Sequence, residues 1–235
     1  CLDVCSSGAI SADGDKVKVE PHLCAGCGGC AAVCPSGAMT YAYPRVPEIG
    51  ARLKAMLGTY REAGGKDACL LFHDAEEGRK AVMELGRRGK GLPARVIPVE
   101  CFHVASVGID LMLGAIAYGA SQVCILTTEN TADSYAAALA KQTGFAQAIL
   151  RGLGYEGEHF CVIGAESLEA KLWALQPARA PAQAATYNLS AEKRTSLDFV
   201  FHTYTQDQAS AEFSPQPNRE ANIRQSPNGL DADLG

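Results

Sequence analysis

From residue 48 onward the apolar positions alternate between two periods. Over 48–63 they keep helical spacing, with Ile49, Leu53, Met56 and Leu57 on one face. A short apolar run at 68–72 reads as a buried strand. Residues 76–88 read as a helix with Val82 and Leu85 inward and basic residues in its last turns, where they suit the helix dipole. The alternation continues with a strand at 95–99, a strongly apolar helix at 104–118 ended by Gly119, and a strand at 122–127. An Ala-rich helix at 131–153, a strand at 159–163 and a helix at 166–175 complete it. Each strand is a continuous apolar run, which a parallel sheet covered on both faces requires. The pattern therefore predicts a four-stranded α/β sandwich over 48–176.

The flanks behave differently. Residues 43–47 carry two prolines and read as a linker. Residues 177–185 are rich in Pro and Ala, and Ser190 is placed to cap a short helix reaching about Phe201. Past Thr205 the chain is polar, with Pro215, Pro217 and Pro227 and little periodicity. Such a segment buries too little surface to offset its ordering entropy, so disorder is expected over 205–235. Near the start, Asp13-Gly14-Asp15 followed by Val17 and Val19 reads as a turn into a strand.

Composition narrows the function. The 235 residues allow one or two domains, and 47 % hydrophobic content is ample for a core. A net charge of −5 with no basic stripe argues against a nucleic-acid partner. The longest apolar run, 111–120, has ten residues, too few to span a bilayer, so no membrane insertion is expected.

The chemistry lies in the first 43 residues. Cys1-Leu2-Asp3-Val4-Cys5-Ser6-Ser7-Gly8-Ala9-Ile10 returns 29 residues later as Cys30-Ala31-Ala32-Val33-Cys34-Pro35-Ser36-Gly37-Ala38-Met39. The second copy follows Cys24 and Cys27, giving a full C-x2-C-x2-C-x3-C-P run, the bacterial pattern that holds cubane iron–sulfur clusters. The fourth Cys of such a run ligates the other cluster in two-cluster proteins. Crossed pairing assigns Cys24, Cys27, Cys30 and Cys5 to one complete [4Fe–4S] site. Cys34 and Cys1 then form half of a second site, whose other two ligands would precede Cys1, and the chain reads as cut inside a motif. Zinc is the alternative for C-x2-C, and the longer run favours the cluster. Packed thiols without secretory features point to a reducing compartment, hence a cytoplasmic location. Ala25, Gly26, Gly28 and Gly29 let the backbone approach the cluster. Pro35 fixes the turn after Cys34, where the first copy has Ser6.

Up to Tyr43 the chain resembles the two-cluster bacterial ferredoxin domain, which implies a pseudo-twofold α+β fold. Residues 95–101 (Arg-Val-Ile-Pro-Val-Glu-Cys) and 117–123 (Ala-Tyr-Gly-Ala-Ser-Gln-Val) resemble the delta subunit family of methyl-viologen-reducing hydrogenase. That resemblance covers roughly 66–152 and implies an electron-relaying α/β domain with a [2Fe–2S] cluster. Cys101 falls where one family ligand would be. The loop 127–135 has no cysteine, and His73-Asp74 stands where a Cys pair is expected, so the second cluster reads as lost. The whole chain is similar to a fragment of a larger polyferredoxin. Its implied partners are hydrogenase-, formate dehydrogenase- or heterodisulfide-reductase-like redox proteins.

The fold expected is thus α+β: a ferredoxin-like domain at 1–43, a linker at 44–47, a flavodoxin-like α/β domain at 48–176, and a linker with a largely disordered tail at 177–235. Ligands in α/β sheets sit beyond the carboxyl ends of the strands. Those ends carry residues 73–78, 100–103, 127–130 and Gly164, which either line a pocket or fill loops and caps. Cys69, Cys124 and Cys161 lie within strands, where free Cys packs as a small hydrophobe. Cys101 precedes a helix whose N-terminus would lower its pKa, so it is the candidate for reactivity beside a core role. His22 either tunes the cluster or is solvated, and Trp173 anchors the last helix of the sheet domain. Three functions follow: an electron-transfer module, a catalytic oxidoreductase subunit whose α/β domain binds flavin or substrate, or a non-redox scaffold. No nucleophile–base pair supports stand-alone catalysis.

Overall fold

The computed structural model describes residues 2–212. An antiparallel hairpin comes first, β1 (Ile10–Asp13) and β2 (Lys16–Val19), turning at Asp13-Gly14-Asp15. It is followed by one short helix, α1 (Gly29–Val33), that contains Cys30. The α/β body then runs α2 (Val46–Glu62), β3 (Cys69–Asp74), α3 (Glu77–Arg88), β4 (Val96–Cys101), α4 (Ile109–Ala117), β5 (Gln122–Thr127), α5 (Asp133–Gly152), β6 (Phe160–Gly164) and α6 (Leu168–Ala174). The four strands β3 to β6 pair in the order β4-β3-β5-β6, all parallel. This is the mixed α+β composition and the helix-flanked parallel sheet that the pattern predicts.

Side-chain alternation along the central strands explains why both faces need helices. Leu70 and Phe72 of β3 and Val123 and Ile125 of β5 point into one core, against α2, α4 and α5. Cys69, Leu71, Cys124 and Leu126 point into the other, against α3 and α6. All eight are fully buried. Each large side chain so placed contributes roughly 1.5–3 kcal/mol of hydrophobic free energy. Gln122, at the start of β5, is buried with its polar atoms satisfied. It donates to the carbonyls of Glu158 (2.7 Å) and Gln176 (2.8 Å) and accepts from Arg95 (2.7 Å).

Two elements differ from expectation. The apolar stretch 104–118 is broken: a single 3-10 turn covers Val104–Ser106, and α4 begins only at Ile109. The break lets α1 approach, since a Cβ on Gly108 would lie 3.2 Å from the Cα of Ala32. The second difference is at the end of the chain, where a long helix, α7 (Lys193–Glu212), replaces the expected short helix and the disorder beyond 205. Val200 and Tyr204 are fully buried against α4, and the Tyr204 hydroxyl donates to the Leu113 carbonyl at 2.6 Å. The polar residues beyond Tyr204 anchor the helix instead of leaving it. The Asp207 carboxylate accepts from the Tyr155 hydroxyl (2.7 Å) and the Ala182 amide (2.8 Å). The expected disorder over 213–235 lies outside the described residues.

Candidate iron–sulfur site

The loop of Cys24, Cys27 and Cys30 is pressed onto the α/β body. It meets the 3-10 turn after β4 and the first turn of α5, beyond the carboxyl ends of the strands. Gly28, the N-cap of α1, has φ +77°, a left-handed conformation that suits glycine. A Cβ there would stand 2.7 Å from the Cβ of Ser106 and 2.9 Å from the Tyr41 ring. Gly29 is almost as close, 3.3 Å from the Tyr135 ring. Gly28→Ala should therefore destabilise the fold by at least about 1–2 kcal/mol through the left-handed backbone alone. The contact with Ser106 and Tyr41 adds to that, and thermal denaturation of the variant should show a lowered Tm.

Around this loop the sulfurs differ in setting. Cys24 is exposed, Cys5, Cys27 and Cys30 are half-buried, and Cys34 is buried. Burial pushes the Cys30 thiol up, and the neighbouring Cys27 and Cys24 act in the same direction, so these three lie within electrostatic reach of one another. Among the described residues no three Cys, His, Asp or Glu side chains are gathered tightly enough to hold a single metal ion. A cubane differs in that each of its four thiolates takes a separate iron. Cys1 lies outside the described residues.

The two repeats build the same hook around their last cysteine. Cys5 Sγ lies 3.5 Å from Ser7 Oγ, and Cys34 Sγ lies 3.4 Å from Ser36 Oγ. Burial raises the Cys5 pKa, but hydrogen bonds from Ser7, Ala9 and Ile10 outweigh it and bring the thiol below its usual value. The same balance, with Ser36, Met39 and Gly37 supplying the hydrogen bonds, lowers Cys34 to about 7. Ser6 in place of proline leaves this geometry intact.

Tyr135 joins the first repeat to the loop. It is buried at the start of α5, its hydroxyl accepting from Ser6 Oγ at 2.7 Å and lying 3.2 Å from Cys27 Sγ. The Ser134 hydroxyl also holds the Val4 carbonyl at 3.3 Å. The segment bearing Cys5 is thereby brought to the Cys27 side of the loop. Lys193, from α7, fixes the other end of α1. Its buried ammonium donates to the carbonyls of Ala31 (2.7 Å), Ala32 (2.8 Å) and Cys34 (3.1 Å). Asp110 lies 4.0 Å away, and burial shifts both groups toward neutrality, Lys193 downward and Asp110 upward. A cavity of about 240 Å³ opens beside this pair, bounded by Tyr41, Met39, Val46 and Leu111.

The residues present suit a cluster. The segment of Cys5 and the loop of Cys24, Cys27 and Cys30 meet at Tyr135, and glycines admit close backbone approach. The Tyr41 hydroxyl, buried and without a hydrogen-bond partner among the described residues, is a spare donor whose pKa burial pushes up to about 12, with Cys101 and Cys27 nearby adding to the rise.

The remaining candidates are structural, except that Thr128 and Glu129, past the end of β5, line a cavity of about 570 Å³. Cys101 does not precede a helix N-terminus, because α4 starts eight residues later. It is buried in the core, donates to the His73 carbonyl at 3.4 Å, and burial raises its pKa to about 12, which fits the core role rather than reactivity. Cys69 and Cys124 are buried with sulfurs 3.7 Å apart, and Cys161 is half-buried beside them. Asp74 accepts from the amides of Glu76 and Gly78, and Glu100 pairs with Arg79, so these strand-end residues serve as caps and ion pairs. His22 is exposed, and Trp173 reaches the Gly91 carbonyl at 3.0 Å. Tyr135, Lys193 and Tyr41 were not legible as site residues. Only the position of Tyr135, just past a strand end at the start of a helix, carried a signal.

Residues 16–39 match the 4Fe-4S binding domain family. The match covers about a tenth of the chain and includes Cys24, Cys27, Cys30 and Cys34. This segment is an iron–sulfur domain of the ferredoxin kind, suited in general to electron transfer. No curated protein matches the chain. Among the described residues no helix is long and apolar enough to cross a membrane.

Proposed function

We propose that this chain is an electron-transfer module that holds one complete [4Fe–4S] cluster on Cys5, Cys24, Cys27 and Cys30. Cys34, with Cys1, serves a second site. The observation that carries the reading is the shared tyrosine: Ser6, next to Cys5, and Cys27 meet on one hydroxyl. That contact favours Cys5 as the fourth ligand, as crossed pairing requires. When bound, the cluster accepts and returns single electrons. The chain's own residues supply the thiolates, seat the loop against the sheet, and exclude water on the Tyr135 and Ala105 side. Redox proteins of the hydrogenase, formate dehydrogenase or heterodisulfide-reductase kind are the partners this reading implies, in the cytoplasm. The delta-subunit likeness of 66–152, without that family's cluster cysteines, fits a body that supports the cysteine loop.

The catalytic alternative needs a ligand site at the carboxyl edge of the sheet, where such folds bind ligands. The cluster loop itself covers that edge between the turn after β4 and the start of α5. Anaerobic reconstitution is the test, with about four irons and matching sulfide per chain expected from the one complete ligand set. The visible absorption should bleach on reduction. A colourless, iron-free product would leave a scaffold as the function, and about eight irons would overturn the crossed assignment.

A further inference from the structure

Tyr135 belongs to the α/β body, yet its hydroxyl touches a ligand of the cluster. A phenol has one proton and two lone-pair sites. Two side chains lie within hydrogen-bond reach of this oxygen. Ser6 Oγ–H donates at 2.7 Å and the Cys27 thiol at 3.2 Å. Iron binding takes the proton from the thiol, because only the thiolate ligates. The 3.2 Å contact can then be kept in one way, with the phenol as donor and the sulfur as acceptor. Ser6 continues to donate to the phenol, which sets the direction of the chain Ser6 → Tyr135 → Cys27.

We infer that Tyr135 donates a hydrogen bond to the Cys27 thiolate of the bound cluster, oriented by Ser6, and so sets the reduction potential from the α/β body. The inference rests on the electron-transfer reading above. Its physical basis is general. Hydrogen bonds to cluster sulfurs stabilise the more negative, reduced state and are one of the protein's levers on potential. The position is rigid: the ring is buried among Val4 and Ala105, its edge meets the His103 ring at a centroid distance of 5.0 Å, and Gly29 leaves it no slack. Tyr135 is a positioning and tuning residue, not a ligand.

The test compares reconstituted wild type, Tyr135→Phe and Ser6→Ala in optically monitored redox titrations, with iron and sulfide measured on each sample. The expected result is full iron content and a midpoint potential shifted negative in Tyr135→Phe, with a smaller negative shift in Ser6→Ala. A merely structural role would lower iron retention or Tm and leave the potential of the loaded fraction unchanged. Equal potentials in wild type and Tyr135→Phe at equal iron content overturn the inference while leaving the electron-transfer reading intact. If Tyr135→Phe takes up no iron, Ser6→Ala decides: a negative shift supports the relay, and an unchanged potential overturns it. A wild type that binds no cluster overturns both.

Discussion

Cys5→Ala should convert a four-iron centre into an unstable or three-iron one, whereas Cys34→Ala should leave the spectrum of the complete cluster nearly unchanged. The two cysteines occupy equivalent places in the repeats and sit in matching hooks, 3.5 and 3.4 Å from Ser7 and Ser36 hydroxyls. Local chemistry therefore does not separate them. Under the proposed assignment, what separates them is the cluster each serves. Crossed ligation sends Cys5 to the loop of Cys24, Cys27 and Cys30, and its loss leaves three thiolates for about four irons. Cys34 serves the other site, so its loss takes nothing from that loop. Iron counts with electron paramagnetic resonance on both variants read the difference. The reverse outcome, in which Cys34→Ala destroys the centre and Cys5→Ala spares it, would mean that all four ligands lie within residues 24–34.

Tyr204→Ala should destabilise the protein by about 3–5 kcal/mol, the range for removing a large buried aromatic side chain. Tyr204 is fully buried, its ring packs on Tyr155 at 5.3 Å, and its hydroxyl reaches the Leu113 carbonyl. Were α7 a loosely held tail, the change would cost close to nothing. Denaturant unfolding distinguishes the two, and Tyr204→Phe, which keeps the ring and removes one hydrogen bond to a carbonyl already paired within α4, should cost only about 0.5–1.5 kcal/mol.

The sheet was legible because each of its strands is a short apolar run bounded by turn residues, and β5 falls on the expected residues, 122–127. The cysteine spacing was equally legible, since ligation demands fixed residue types at fixed intervals. What escaped were contacts made at long range by ordinary residues. Tyr135 reads as one more polar side chain at a helix start, and Lys193 as a solvated charge, until the fold brings them to Cys27 and to α1. The extent of α7 escaped for a related reason. Its last turns are held by Asp207 and Tyr155 rather than by an apolar stripe, so composition past Tyr204 looked like unfolded chain. The break before α4 serves the close passage of α1, a requirement invisible in the stretch 104–118 itself.

Lys193 also bears on the order in which the protein is built. The carbonyls it holds lie about 160 positions earlier in the sequence. During synthesis the cysteine loop emerges before the sheet, and the ammonium that closes α1 is made only after every strand of that sheet. Domains in general fold as units from the N-terminus as they are made. This loop cannot, because its seat on Tyr135 and its clamp from α7 are both still unmade. The cysteine loop is thus translated well before its walls, and a ribosome stalled before residue 193 leaves α1 without its terminal clamp.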